Sequence, residues 1–226
     1  MPMGGFYPQH PTLIRLIGCE CAAYSRNMTS TINSKVWFIT GGSSGIGLEL
    51  VRQALEAGDA VVALARNTSV LKDLYRSDEL LTIDVDVRDE AAVRAATKYA
   101  VGRFGRLDVV ANNAGYGLFG AVEETTDAQA RAIFDTHVFG VLNVLRAVLP
   151  VLRAQRSGRI MQGSSTYGQM AHPGVGLLAA SKYAVEGLSD ALAAEVAPLG
   201  ITVTLVEPGY VATPLLGNLV MAEGVK

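Results

Sequence analysis

From Lys35 onward the chain alternates short apolar runs with longer stretches whose apolar positions recur every three or four residues. Val36–Thr40 is the first run and leads into a glycine cluster. Residues 46–57 then read as a helix closed by Gly58. Ala60–Ala65 is apolar at every position, the pattern of a strand covered on both faces. A helix near 69–76 and a strand near 80–85 follow. Residues 89–104 are helical with Gly105 as their stop, and 107–111 form the next strand. A long helical pattern covers 128–152, with Pro150 near its end. A strand at 159–163, a helix at 176–197 and a strand at 201–206 complete the series, which ends at Pro208 and Gly209. Such alternation predicts one parallel sheet with helices on both faces, a doubly wound α/β domain of Rossmann type. Ligands of these sheets sit beyond the carboxyl ends of the strands, where strand order reverses. The strand ends are therefore where chemistry is sought.

The 226 residues suit a single domain, taken here as 31–226, preceded by a tail at 1–30. The tail holds a short apolar patch, Leu13, Ile14, Leu16 and Ile17, interrupted by Arg15. A secretory signal would carry its basic residues ahead of a cleaner apolar stretch. The tail is therefore expected to be disordered, with Met28 opening a conventional N-terminus. Half of the residues are hydrophobic, 18% are charged, and the formal charge is −2. Lys and Arg are scattered, so no basic stripe points to nucleic acid. No run of 18 apolar residues points to a membrane span. Cys19 and Cys21 form neither a disulfide framework nor a complete metal site, so a reducing, cytoplasmic setting and no metal are expected.

The most informative segment is residues 40–47, Thr-Gly-Gly-Ser-Ser-Gly-Ile-Gly, lying between a predicted strand and a predicted helix. Glycines there let the backbone turn tightly and let a pyrophosphate approach, while the free N–H groups of the helix start hold the anion. Gly41, Ser43, Ser44, Gly45, Ile46 and Gly47 are the candidate contacts. At the end of the second strand, an acid would bind the ribose 2′-hydroxyl of NAD. The residue there is Arg66, which suits a 2′-phosphate, so NADP is expected over NAD.

Further segments fall in order along the chain. They are Asp86-Val87, Asn112-Asn113-Ala114-Gly115, Ser164-Ser165, Ala180-Ser181-Lys182, and Pro208-Gly209 followed by Val211 and Thr213. Together with the phosphate turn they resemble the short-chain dehydrogenase/reductase family over residues 35–216. The resemblance implies an oxidoreductase that reduces carbonyls or oxidises secondary alcohols of small molecules. It implies cofactor contacts at Asp86, Val87, Asn112, Ala114 and Gly115. It also implies contacts at Lys182, and at Pro208, Gly209, Val211 and Thr213, which would cover the nicotinamide. It further implies pairing of the helices at 128–152 and 176–197 across a homodimer.

In that family a tyrosine hydroxyl handles the proton, a lysine one helical turn later holds the ribose, a serine binds the substrate oxygen, and an asparagine completes a proton relay. With Lys182 as the lysine, the tyrosine position holds Leu178, and Ser165 lies at the matching distance before it. The asparagine position holds His137, a candidate relay because histidine titrates near neutrality. Ser165, Lys182, His137 and the position of Leu178 are thus the candidate catalytic set, and Tyr116, Tyr167 and Tyr210 are candidate sources of a displaced hydroxyl. Leu178 keeps two other readings open. One is a nucleotide-binding protein without turnover, and the other is a non-redox isomerase or cyclase with His137 as base. The chain stops at Lys226, so the substrate pocket is expected to be open or completed by another chain.

Overall fold

The computed structural model describes residues 13–17 by their backbone, together with residues 34–211 and 219–222. Its main sheet has seven parallel strands. They are β1 (Leu13–Ile17), β2 (Val36–Thr40), β3 (Ala60–Ala65), β4 (Leu80–Asp84), β5 (Val109–Asn112), β7 (Gly158–Gly163) and β8 (Ile201–Glu207). Two short strands, β6 (Leu118–Phe119) and β9 (Val220–Met221), pair separately, which the hydrophobic pattern did not suggest. The helices are α1 (Gly45–Glu56), α2 (Ser69–Leu74), α3 (Glu90–Phe104), α4 (Asp127–Phe134), α5 (Gly140–Gln155) and α6 (Gly176–Val196).

The strand order is β1-β8-β7-β5-β2-β3-β4. The chain runs outward from β2 to β3 and β4, then returns to β5 on the other side. That reversal between β2 and β5 opens the crevice in which such sheets bind ligands. Phe38, Val62, Leu64, Val110 and Ile160 bury one face of the sheet against α3, α5 and α6. Ile39, Val61, Ala63 and Ala111 bury the other against α1 and α2. All six positions of β3 are buried, as its unbroken apolar run requires.

The single helix expected at 128–152 is divided. A π-helical turn at Asp135–Phe139 separates α4 from α5. Just past it, a Cβ on Gly140 would lie 2.7 Å from Val87 Cγ2, so the glycine lets the helix pack closely on the segment after β4. The helical run Asp127–Gln155 is long and apolar enough, by length and composition, to cross a membrane. Half of its most apolar window is buried, however, and Val141, Val144, Val148 and Leu152 sit in the core under the sheet.

The expectation of a disordered tail at 1–30 does not hold at Leu13–Ile17. This segment runs parallel to β8 in the register Leu13↔Val203 through Ile17↔Glu207. The outer edge of β8 offers a row of backbone donors and acceptors, and a five-residue extended segment satisfies them. Residues 1–12 and 18–33 lie outside the described residues. Deleting residues 1–27 is therefore expected to lower Tm in a thermal melt, by roughly 2–4 °C for each kcal/mol lost in a domain of this size. An unchanged melt would mean that the β8 edge needs no such partner.

Candidate active site

The phosphate turn follows β2 and is pinned from the neighbouring strand. Thr40 Oγ1 accepts from the backbone N–H groups of Asn113 and Ala114, at 3.0 and 3.1 Å. Asn113 Nδ2 donates back to the carbonyls of Thr40 and Gly41. Thr40 and Asn113 were not among the expected contacts. Their signal in the sequence was present, the second asparagine of Asn112-Asn113-Ala114-Gly115, but their partners lie more than seventy residues away.

The turn fits a pyrophosphate. Gly41 has φ +68°, and a Cβ there would lie 2.9 Å from Ala114 Cα. A Cβ on Gly47 would lie 2.2 Å from the Gly41 carbonyl oxygen. Ser44, the N-cap of α1, makes no side-chain cap bond, so the first N–H groups of the helix are left for an anion. Asn112 is buried in β5, and its Nδ2 donates to Gln162 Oε1. Asn112 and Ala114 line a narrow cleft with Thr40 and Val87.

Arg66 is exposed just past β3. Its positive charge acts on both Asp86 and Tyr116, lowering the pKa of each a little. The bond from Arg88 holds the Asp86 carboxyl below the usual carboxylate range.

Across the crevice, β7 ends at Gly163 and delivers two serines with different surroundings. Ser164 is buried and donates to the Glu186 carboxylate. Ser165 Oγ accepts from the Tyr167 N–H at 3.2 Å, and its own proton is not used by that bond. Lys182 Nζ, from α6, donates to the Gly163 carbonyl at 2.7 Å. Burial of this amine pulls its pKa down to about 8, with Glu186 one turn on pulling the other way. Ser165 and the point where Lys182 is fastened, Gly163, thus lie two residues apart at the end of β7.

Leu178 lies one turn before Lys182 and is buried with Leu118, Ile133 and Val175. Tyr116, Phe119 and Tyr167 pack against that cluster. Tyr167 shares a 3.2 Å hydroxyl contact with the exposed Tyr210. Tyr116 sets its ring edge-on to His137, with centroids 5.6 Å apart, and burial raises its phenol pKa.

His137 differs from the expected proton relay. The ring is 1% exposed and both nitrogens are engaged, Nε2 with the Tyr116 N–H at 3.1 Å and Nδ1 with Ser181 Oγ at 2.9 Å. Burial, and then the nearby Lys182 charge, hold its pKa well below the ordinary histidine value. A neutral ring with no open nitrogen has no route for passing protons, and the same geometry removes it as a base for non-redox chemistry. Pro208 accepts from the Thr166 N–H and so anchors the segment with Gly209 and Val211 beside Ser165. Thr213 lies outside the described residues.

A glycine-rich turn at a topological switch point, with a serine and a half-buried lysine across the crevice, defines a Rossmann-type nucleotide-binding domain. The sequence model of the short chain dehydrogenase family matches residues 35–224. The chain belongs to the short-chain dehydrogenase/reductase family of oxidoreductases. It is 42% identical over 188 residues to an oxidoreductase of Botryotinia fuckeliana, covering 82% of this chain and 69% of that protein. It is 39% identical over 189 residues to a 3-ketodihydrosphingosine reductase of Bacteroides thetaiotaomicron, covering 84% and 68%. This chain therefore spans about two thirds of the length of these relatives. Among solved structures, a short-chain dehydrogenase from Streptomyces avermitilis matches with TM-score 0.80 and 42% identity, covering 84% of this chain and 73% of that one.

Proposed function

We propose that this chain is an NADP(H)-binding oxidoreductase acting on a carbonyl or secondary alcohol of a small molecule, with Leu178 standing where the family pattern has the proton-handling tyrosine. The observation that carries the reading is the pairing of an intact phosphate turn with Lys182, whose amine is fastened to the end of β7 beside Ser165. When bound, the cofactor would supply a hydride to a carbonyl carbon. The oxygen then gains negative charge and must be stabilised and protonated. Ser165 has a proton to donate toward that oxygen. Lys182, as an ammonium, would bind the ribose and lend positive charge. Leu178 offers only methyl groups, so ordinary ketone reduction by the unaltered protein is expected to be slow.

Support for NADP over NAD comes from Arg66 just past β3, where the strand end carries no acid of its own. Structural relatives have been solved with either, ElxO with NADP (TM-score 0.78, 30% identity, covering 82% of this chain and 77% of that one) and a Burkholderia phymatum short-chain enzyme with NAD (0.76, 26%, covering 81% and 68%). NADPH is expected to bind more tightly than NADH by about 1.5–3 kcal/mol, the worth of a charge-assisted hydrogen bond. Calorimetric titration of both nucleotides checks this, and Arg66→Ala should erase the difference. Equal affinities in the unaltered protein would remove Arg66 from the site.

The near-neutral formal charge, the core packing of α5 and the two cysteines support a cytoplasmic protein without nucleic-acid or membrane partners. The apolar α5 and α6 support a homo-oligomer. A nucleotide-binding protein without turnover is the second reading, favoured by one observation, the burial of Leu178 in an apolar cluster.

A further inference from the structure

Both departures from the family pattern, His137 and Leu178, lie on one hydrogen-bonded chain. The Tyr116 backbone N–H is a donor in every circumstance, so the His137 Nε2 facing it must be the acceptor and carries no proton. A neutral ring then has its proton on Nδ1, and that N–H donates to Ser181 Oγ. Ser181 passes its own proton to the Leu178 carbonyl at 2.7 Å. Each polar atom in the series has one role that fits, and the chain is buried, with Ser181 0% exposed. The opposite tautomer would set two donors face to face and leave Nδ1 as a second acceptor. A protonated ring would likewise set the Nε2–H against the Tyr116 N–H and would add a positive charge beside Lys182.

The two ends of this chain are parts of the site. Tyr116 follows the Asn112–Gly115 segment of β5, and Ser181 precedes Lys182 on α6. A Cβ on Gly115 would lie 3.0 Å from His137 Nε2 and 3.8 Å from Lys182 Nζ, so ring and amine border the same small space. We propose that His137, locked as the Nδ1–H tautomer, is a positioning residue that fastens helix α6 to the loop after β5 and thereby holds Lys182 at its site. The inference rests on the reading of Lys182 as the cofactor-holding lysine. The charged and titratable groups that act on the amine are Glu186 on its own helix and the neutral His137 from the π-helical turn, with Tyr116 edge-on to His137 on the far side of the ring contact.

Two measurements test it. The first uses the free protein. In ¹⁵N-labelled protein, the ring missing from a His137→Asn sample should show a protonated Nδ1 and a bare Nε2, unchanged between about pH 5 and 8. A bare Nδ1, or a ring that titrates in that window, would overturn the proposal. The second follows Lys182. NADPH binding should fall as pH rises through about 8, where the ammonium is lost. Ser181→Ala and His137→Asn each break the link to α6 and should weaken NADPH ~3- to 10-fold, the worth of one ordinary hydrogen bond. In both variants the alkaline limb should move up toward the ordinary lysine value, because a loosened amine regains water. The double variant should be no worse than either single one, while His137→Ala, which also frees Tyr116, should be worse. A limb that stays in place, or additive losses in the double variant, would overturn the proposal. Should the unaltered protein bind no NADPH, the nucleotide reading falls. The tautomer, and the ¹³Cε titration of Lys182 with and without Ser181→Ala, then decide the positioning role by themselves.

Discussion

Leu178→Tyr should create or raise NADPH-dependent carbonyl reduction by about 10²–10⁴-fold, the usual contribution of a positioned general acid. The change puts a phenol one helical turn before Lys182, on the helix that also carries Ser181. Leucine at this position gives a developing alkoxide no proton. The new ring must enter the cluster of Leu118, Ile133 and Val175, which already accepts Tyr116 and Tyr167 at its border. Absorbance at the nicotinamide band with a panel of ketones checks the rate, and calorimetry should show NADPH affinity little changed. Robust reduction by the unaltered protein would mean that another hydroxyl, at Tyr116, Tyr167 or Tyr210, already supplies the proton. No gain in a variant that still binds NADPH would favour the reading of a nucleotide-binding protein without turnover. Adding His137→Asn should not help further, because the ring it replaces fastens α6 and passes no proton.

Gly47→Val is expected to abolish cofactor binding, unfold the domain, or both. The first added carbon would already sit 2.2 Å from the Gly41 carbonyl oxygen and 2.5 Å from Asn113 Nδ2. Neither neighbour can yield at low cost. The Gly41 backbone is the turn itself, at φ +68°, and Asn113 Nδ2 is held by the Thr40 and Gly41 carbonyls. Overpacking of this kind typically costs about 1–3 kcal/mol where atoms can move, and more where the obstacle is backbone. A thermal melt separates the two routes to loss. A variant that melts normally and binds NADPH with full affinity would refute the assignment of this turn to the pyrophosphate.

The sequence by itself determined the alternation of strands and helices from Val36 onward and where the glycine-rich turn lies between β2 and α1. Both are local. Residues 40–47 are contiguous, so their glycines and the strand and helix on either side are visible in one window. The run Ala60–Ala65 announces a doubly covered strand because burial on both faces leaves no polar alternation. The spacing from Ser165 to Leu178 to Lys182 is likewise a fact about one stretch of chain, and the reading of Leu178 at the family's tyrosine position rests on it.

The tertiary structure decided what each group touches. His137 looked like a relay because histidine titrates near neutrality, yet its partners lie 21 and 44 residues away and occupy both nitrogens. Thr40 and Asn113, 73 residues apart, set the shape of the turn through hydrogen bonds that leave no periodic trace. Gly140, just past the π-helical turn, lies against Val87, more than fifty residues earlier, where a side chain would not fit. Leu13–Ile17 became a strand because the edge of β8, some 190 residues later, had backbone groups to satisfy. Periodicity records whether a position is buried. It does not record which distant donor or acceptor comes to meet it, and here those meetings fix the protonation of His137 and the place of Lys182.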